Sequence, residues 1–514
     1  MRKQLFSLLM LALIGAAAPV NTEAQGLKGL AKRAVQGVVN DAKVGAQKKR
    51  ADAQHEAWEA KSRGNQTTTT QQATSPTQAT RPGRPEANNG TVYYVSTNGS
   101  GRAAGTQESP MKDIQKAIDK AENGDIIRIA AGNYLGTLDQ GYVQINKYLT
   151  IQGGYSEDFS QWDPVKYKTY IQPGPECTGT NGNYGLFDLE VTGNVNGTMI
   201  IDGIAFDKGE ENLYCAHNPS DEATASPEGC LTGRMIKVGE SPKGGKVGGA
   251  DINKALMYGK VEGNFIVRNC TFVNGNNFAI QVSCVKGHFD IYNNVFCANV
   301  MAAFESRGMS ADMNDCSLSF HNNTVMFTWT RTKVLEDMGQ GFRFMPGYCK
   351  EEVHNNIFGC NILGAIERTH FDSNKSVEAK RYTDVTGNAF FMNNADLILP
   401  SGGGKWLFVK AKNFEDVDEK YLTVVEGNKE LQDGNFASAV DQAYLKGFAG
   451  LKMIQSQSYD ANSSANQFNR AFGLNQQGTE IVRPSMFANK YPFFKAFDLY
   501  GAVNGVGAQT PRKE

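Results

Sequence analysis

Between Ile201 and Phe390 the chain repeats one arrangement of apolar and polar positions. An apolar residue is followed by a variable one, then Asn or Gly, usually a second Asn, a variable residue and, in most copies, an aromatic. The copies are Ile201–Phe206, Val267–Phe272, Ile291–Phe296, Phe320–Val325, Val353–Phe358 and Val385–Phe390. Their third position recurs after 66, 24, 29, 33 and 32 residues, the stretched period of a solenoid. Asn and Gly enter the left-handed backbone region at low cost, so each phrase bends one short strand into the next. Stacked at the strand spacing of about 4.8 Å, Asn294, Asn323, Asn356 and Asn388 would lie above one another and bond from rung to rung through their amides. Leucine-rich repeats also carry an Asn, but their dense Leu consensus is missing here. The pattern predicts an all-β chain, a parallel β-helix.

Between phrases lies another strand with a polar residue among apolar or small ones: Phe187-Asp188-Leu189, Ile236-Lys237-Val238, Ile280-Gln281-Val282, Phe304-Glu305-Ser306, Phe342-Arg343-Phe344 and Ile366-Glu367-Arg368. Alternation turns the middle residue outward, giving a column Asp188, Lys237, Gln281, Glu305, Arg343, Glu367. Before the repeats, Tyr93-Tyr94-Val95 reads as a strand and Asn98-Gly99 as a turn. A helix should follow, capped by Ser109, with Pro110 in its first turn and Ile114, Ala117, Ile118 and Ala121 as its apolar face. It would plug the open end of the stack, and Ile126–Ala130 would be the next strand. From Ile398 the pattern breaks. A strand at Trp406–Val409, helical stretches around 437–451 and 465–472, and an aromatic tail with Phe487, Tyr491, Phe493, Phe494 and Phe497 predict a C-terminal α/β cap.

The Tyr93–Gly99 segment, Gly105-Thr106, Ser109-Pro110, Ile114–Ile118 and Gly124–Tyr134 together resemble the N-terminal signature of secreted proteins of the pectate-lyase-like superfamily. Leu149–Tyr155, Asp163-Pro164 and Thr169–Ile171 also resemble β-helix proteins of gut and oral Bacteroidetes. The resemblance covers roughly residues 91 to 400 and implies a right-handed parallel β-helix with a saccharide groove along a strand face, bordered by long loops. The superfamily holds lyases, hydrolases, esterases and non-catalytic binders, so it implies no single activity.

With 514 residues, 40% of them hydrophobic, and a formal net charge of −1, the chain can bury a large core and shows no global bias toward nucleic acid. Residues 1–24 have the layout of a secretory signal, with Arg2 and Lys3 before an apolar run and a cut after Ala24, so the protein is expected in the periplasm, at the cell surface or outside the cell. Residues 25–61 form a basic extension whose apolar positions from Leu27 to Ala42 recur at helical spacing. Over 26–50 it reads either as a surface for an anionic membrane or envelope partner or as a solvated arm weakened by Gly29, Gly37 and Gly45. Residues 62–90 read as a flexible linker, 91–400 as the β-helix and 401–514 as the cap.

The nine cysteines include no CxxC pair, so a zinc site is not expected. Cys316 and Cys349 each lie six residues before a repeat Asn, which puts them on adjacent rungs and predicts a disulfide. Cys215 and Cys230 could staple the insertion between them. Cys270, Cys297 and Cys360 read as buried thiols.

The outward column is the candidate site, with Glu305, Arg343 and Glu367 as its catalytic candidates. Lys237, Gln281, Arg307, Arg331, Lys333 and His370 are its substrate-binding candidates. A glycosidase would use Glu305 and Glu367, about 9.6 Å apart over two rungs, near the upper end of the inverting range; Arg343 between them would lower both pKa values and spoil the acid. A lyase needs a base and a cation for the uronate carboxylate; Arg343 or Arg307 would have to serve, and flanking carboxylates hold an Arg charged. No cofactor is expected, and calcium finds no compact acidic triplet on this face. The other reading is a surface ladder of opposite charges. His321 and His354, one rung apart beside Asp202, Arg268, Tyr292 and Thr386, read as a metal-binding or jointly titrating pair or as stacked rings. Two functions therefore stand side by side. One is binding, with or without cleavage, of a polysaccharide, and the other is a non-catalytic envelope or adhesion role for a rigid stack.

Overall fold

The two apolar positions of the repeated phrase face inward. Ile201, Val267, Ile291, Phe320, Val353 and Val385 are buried, as are Phe206, Phe272, Phe296, Val325, Phe358 and Phe390. In this computed structural model the rings of Phe206, Phe272 and Phe296 stack at 4.9 Å between centroids, 6° apart in plane. The third position is left-handed in every copy, with φ of 66° at Gly203, 53° at Asn269, 55° at Asn293, 51° at Asn322, 54° at Asn355 and 67° at Gly387. The fourth position forms the expected ladder. Each Asn oxygen accepts from the backbone N–H and the amide of the Asn one rung before it, from Asn294 through Asn323, Asn356 and Asn388 to Asn428.

The structure describes residues 88–135, 143–172, 185–207, 255–275, 278–328, 339–393, 395–402, 405–449 and 491–512, all within one compact unit, Arg84–Glu514. The expected signal, basic extension and linker, up to residue 87, lie outside them. So do Lys237, Arg331, Lys333, Cys215 and Cys230.

The described strands form two sheets, of seventeen and nine strands, and the chain visits three faces in turn. The first face holds Ala302–Ser306, Gln340–Phe344, Gly364–Glu367 and Leu397–Gly402; the second holds Cys316–His321, Lys350–His354, Tyr382–Thr386 and Val424–Glu426. Two long strands, Met257–Arg268 and Ile280–Tyr292, run through both faces, with a register irregularity at Val261/Glu262. After each Asn turn the chain enters the third face, at Thr271–Val273, Val295–Cys297, Thr324–Met326, Ile357–Gly359, Ala389–Phe391 and Lys429–Glu430. Among the described strands pairing is parallel except between Leu397–Gly402 and Lys405–Val409, and an isolated antiparallel bridge joins Tyr155 and Trp162. The parallel stack runs past residue 400 to Glu430, where Val425-Glu426-Gly427-Asn428 repeats the phrase. Glu430 stands where the aromatic would be, which hid that copy.

At the start, the strand Val92–Ser100 continues through Asn98-Gly99 instead of turning. Gly99 is there for close approach, since a Cβ would come within 2.3 Å of the Met111 carbonyl oxygen. The helix Ile114–Lys120 buries Ile114, Ala117 and Ile118 as expected, but its cap is Asp113, whose carboxylate accepts from the Lys116 N–H, and not Ser109. At the other end Phe414 packs edge-on against Phe390. The tail from Tyr491 runs along the stack. Its backbone bonds to Asn274, Asn293, Thr324 and Asn355, and the Tyr500 hydroxyl donates to the Cys270 carbonyl.

Candidate functional site

Register across the first face sets Gln144, Asp188, Tyr258, Gln281, Glu305, Arg343 and Glu367 on seven successive rungs. The column is the expected one with two differences, Gln144 added before Asp188 and Tyr258 in place of Lys237. Tyr258 occupies the rung beside Asp188 that Lys237 was expected to fill. The insertion over 208–254 obscures the count of turns, and alternation alone could not choose between Ile236-Lys237-Val238 and Met257-Tyr258-Gly259.

Glu305, Arg343, Glu367, His370 and Gln281 come together in one network. Arg343 donates from Nη1 to Glu305 Oε2 at 2.5 Å and from Nε to Glu367 Oε2 at 2.8 Å. Its Nη2 lies 3.3 Å from His370 Nε2, and His370 Nδ1 lies 3.3 Å from Glu367 Oε1. Gln281 Nε2 donates to Glu305 Oε1 at 3.0 Å, and Thr369 donates to Glu367. Arg343 and Glu367 are buried while Glu305 is partly exposed. Burial pushes the Glu367 carboxyl up, but the hydrogen bond from His370 and the Arg343 charge outweigh it and hold the group at about 2. At neutral pH it has no proton to give. Three rungs from Glu305 the opposite holds for Asp188, where burial and then the Glu190 charge raise the carboxyl to about 6. Arg307 lies exposed just past the Ala302–Ser306 strand.

The second face carries its own column: Gln152, Asp202, Arg268, Tyr292, His321, His354, Thr386 and Glu426. Asp202 is buried and accepts from Arg268 Nε at 3.1 Å, Asn269 Nδ2 at 2.7 Å and Gln152 Nε2 at 3.0 Å. The rings of Tyr292, His321 and His354 stack at 4.9 Å, within 9° of parallel, and His321 Nε2 lies 3.0 Å from Asp290 Oδ1. This is the stacked-ring arrangement. Among the described residues no group of three or more His, Cys, Asp or Glu side chains is placed to hold a metal ion.

The expected Cys316–Cys349 disulfide is not formed, and both thiols are free. Register does place the two residues opposite each other, with the Cys349 N–H donating to the Cys316 carbonyl at 3.0 Å. The side chains diverge. Cys349 Sγ turns to the Cys316 carbonyl oxygen at 3.1 Å, while Cys316 points inward toward Cys284. Cys270, Cys297 and Cys360 are buried free thiols.

Fold and site define a class: a mostly β protein of stacked parallel sheets with ordered polar columns on its outer faces. Residues 97–173 match a family described as a protein of unknown function, DUF1565. No curated protein matches the chain. Among solved structures it is similar to one titled "The complex structure of XylC with xylose", at 11% identity and a TM-score of 0.27 over 60% of this chain and 63% of that one. It is also similar to a rhamnogalacturonan lyase, at 12% identity and a TM-score of 0.25 over 75% of this chain and 100% of that one. The chain thus spans just under two thirds of the first.

Proposed function

We propose that the chain is an exported, right-handed parallel β-helix whose first face binds a polysaccharide. The observation that carries this reading is the unbroken run Gln144, Asp188, Tyr258, Gln281 and Glu305 on five consecutive rungs. Each can donate or accept a hydrogen bond, and one supplies an aromatic ring, at a repeat of about 4.8 Å. A ligand that is itself a chain of hydroxyl-bearing rings meets such a column many times over, and Tyr258 offers a flat apolar face with a polar tip. Arg343 closes the column at one end, but Glu305 and Glu367 neutralise it, which favours a neutral glycan over a heavily charged one. Export rests on the Met1–Ala24 pattern, and handedness rests on the resemblance of the 93–134 segment.

The reading is binding without cleavage at Glu305, Arg343 and Glu367. A glycosidase acid must hold a proton, and Glu367 does not; a lyase cation must be free to meet a substrate carboxylate, and Arg343 is engaged on both sides. The test is retention of the full chain on immobilised neutral and uronate-rich glycans, with released reducing ends and unsaturated-uronate absorbance followed in parallel. Retention on a neutral glycan with no product is the expected result. Retention on none sinks the saccharide reading in favour of a structural envelope role, and product formation overturns the non-catalytic one.

A further inference from the structure

Three cysteines from distant points of the sequence meet at the corner where the first face passes into the second. Cys284 stands in the long strand Ile280–Tyr292, Cys316 opens the strand Cys316–His321 one turn later, and Cys349 precedes Lys350–His354 one turn later again. Backbone bonds fix this order. Cys284 N–H donates to the Arg307 carbonyl at 2.9 Å, Met309 N–H returns to the Cys284 carbonyl at 2.8 Å, and Cys349 N–H reaches the Cys316 carbonyl at 3.0 Å. Cys284 and Cys316 are both 0% exposed, whereas Cys349 is partly exposed. Cys316 Sγ lies 3.5 Å from the Cys284 carbonyl oxygen and 3.8 Å from that of Val285, and Cys284 Sγ lies 3.7 Å from the Gly287 carbonyl oxygen, so both thiols sit in the same buried corner.

We propose that Cys284 and Cys316 form a closable disulfide latch between successive turns, with Cys349 as the thiol through which an oxidant reaches it. The other free thiols among the described residues are Cys270, Cys297 and Cys360. The neighbouring Cys284 side chain lowers the Cys316 thiol to about 7 despite burial, while Cys316 and burial raise Cys284. Cys316 is thereby the stronger thiolate former of the two.

The chemistry balances with a small-molecule disulfide as oxidant. The Cys349 thiolate attacks the oxidant, forming a mixed disulfide and expelling one thiolate. The Cys316 thiolate then attacks the Cys349 sulfur, moves the bridge inward and expels the second. Cys284, on losing its proton, attacks Cys316 and releases Cys349 as a thiolate, which is reprotonated. The net change is two protein thiols oxidised and one oxidant disulfide reduced to two thiols. The latch ties the connection over 307–315 to the turn before it, so closure stiffens that corner.

This inference needs no glycan and is tested separately from binding. The reduced full chain is incubated with oxidised glutathione, free thiols are alkylated under denaturing conditions, and peptides are mapped without reduction. The expected product is one peptide pair joined through Cys284 and Cys316, with Cys349 alkylated, and a Tm several degrees above the reduced form. The Cys316→Ser variant should lose that shift, and Cys349→Ser should reach the same product at least severalfold more slowly. A Cys316–Cys349 pair, a link from either to Cys177, Cys215 or Cys230, or complete alkylation of Cys284 and Cys316 overturns the latch. An unchanged closure rate in Cys349→Ser overturns the relay.

Discussion

The work of the Asn turn is divided between two adjacent residues. Asn355 supplies the backbone shape, φ of 54°, whereas the Asn356 side chain supplies four bonds. Its oxygen accepts from the Asn323 N–H at 2.9 Å and the Asn323 amide at 3.1 Å, and its Nδ2 donates to the Phe320 carbonyl and to Asn388 Oδ1, each at 2.9 Å. Asn356→Ala should therefore strand buried donors and acceptors and cost about 2–4 kcal/mol in urea unfolding. Asn355→Gly, which keeps the left-handed turn, should cost less than about 1 kcal/mol. Equal costs would mean that the ladder contributes nothing beyond its backbone. Asp188 makes a prediction in pH. Burial raises its folded pKa to about 6 from an ordinary 3.8, so the folded state holds this proton more tightly than the unfolded chain does. Stability from this group is present below pH 4 and is lost as pH rises through about 6. Asp188→Asn should raise Tm at pH 7.5 and leave it unchanged near pH 3.5, and a Tm difference independent of pH would refute the assignment.

At the scale of strands and turns, most of the layout was legible because the phrase states which positions are inside, which turn and which ladder. The register it supplies also aligned Gln281, Glu305, Arg343 and Glu367 correctly. A second turn, at the end of the third face, escaped notice. It too is left-handed, but at Ala298, Phe327, Cys360 and Met392, with φ between 50° and 58°. Those residue types carry no turn signal; the Asn274-Gly275 copy, with Asn274 at φ 57°, and the following Asn299, Asn361 and Asn393, bonding to the carbonyls of Phe272, Val325 and Phe358, mark it. A left-handed Ala is strained by about 1–2 kcal/mol, of which glycine's backbone entropy takes back about half. Ala298→Gly should thus raise unfolding stability by about 0.5–1 kcal/mol, and a loss of stability would show that the methyl packing outweighs the strain. The site was less legible than the fold. Alternation places Glu305, Arg343 and Glu367 on one face, but only coordinates reveal that His370 returns to the same trio and that the carboxylates are already satisfied. Lys237 was misplaced because an insertion carries no turn count. The thiol pairing failed because register fixes Cα positions and not the direction of Sγ.

Across the whole molecule, the proposed binding column and the elements that knit the stack fall on different faces. The third face and its Asn corner are covered by the tail from Tyr491, which exchanges reciprocal bonds with Asn274: Tyr491 N–H to Oδ1 at 2.9 Å and Nδ2 to the Tyr491 carbonyl at 3.0 Å. The second face is knitted by Asp202, Arg268 and the stacked rings. The run proposed to bind a glycan, Gln144 to Glu305, lies on the first face. The most direct measurement is titration of the best-retained glycan into the full chain and into two variants, Tyr258→Ala on the first face and Glu352→Gln on the second. Tyr258→Ala should weaken Kd at least tenfold, about 1.4 kcal/mol, while Glu352→Gln leaves it unchanged. An unaltered Kd in Tyr258→Ala, or an equal loss in both, would contradict a binding column on the first face.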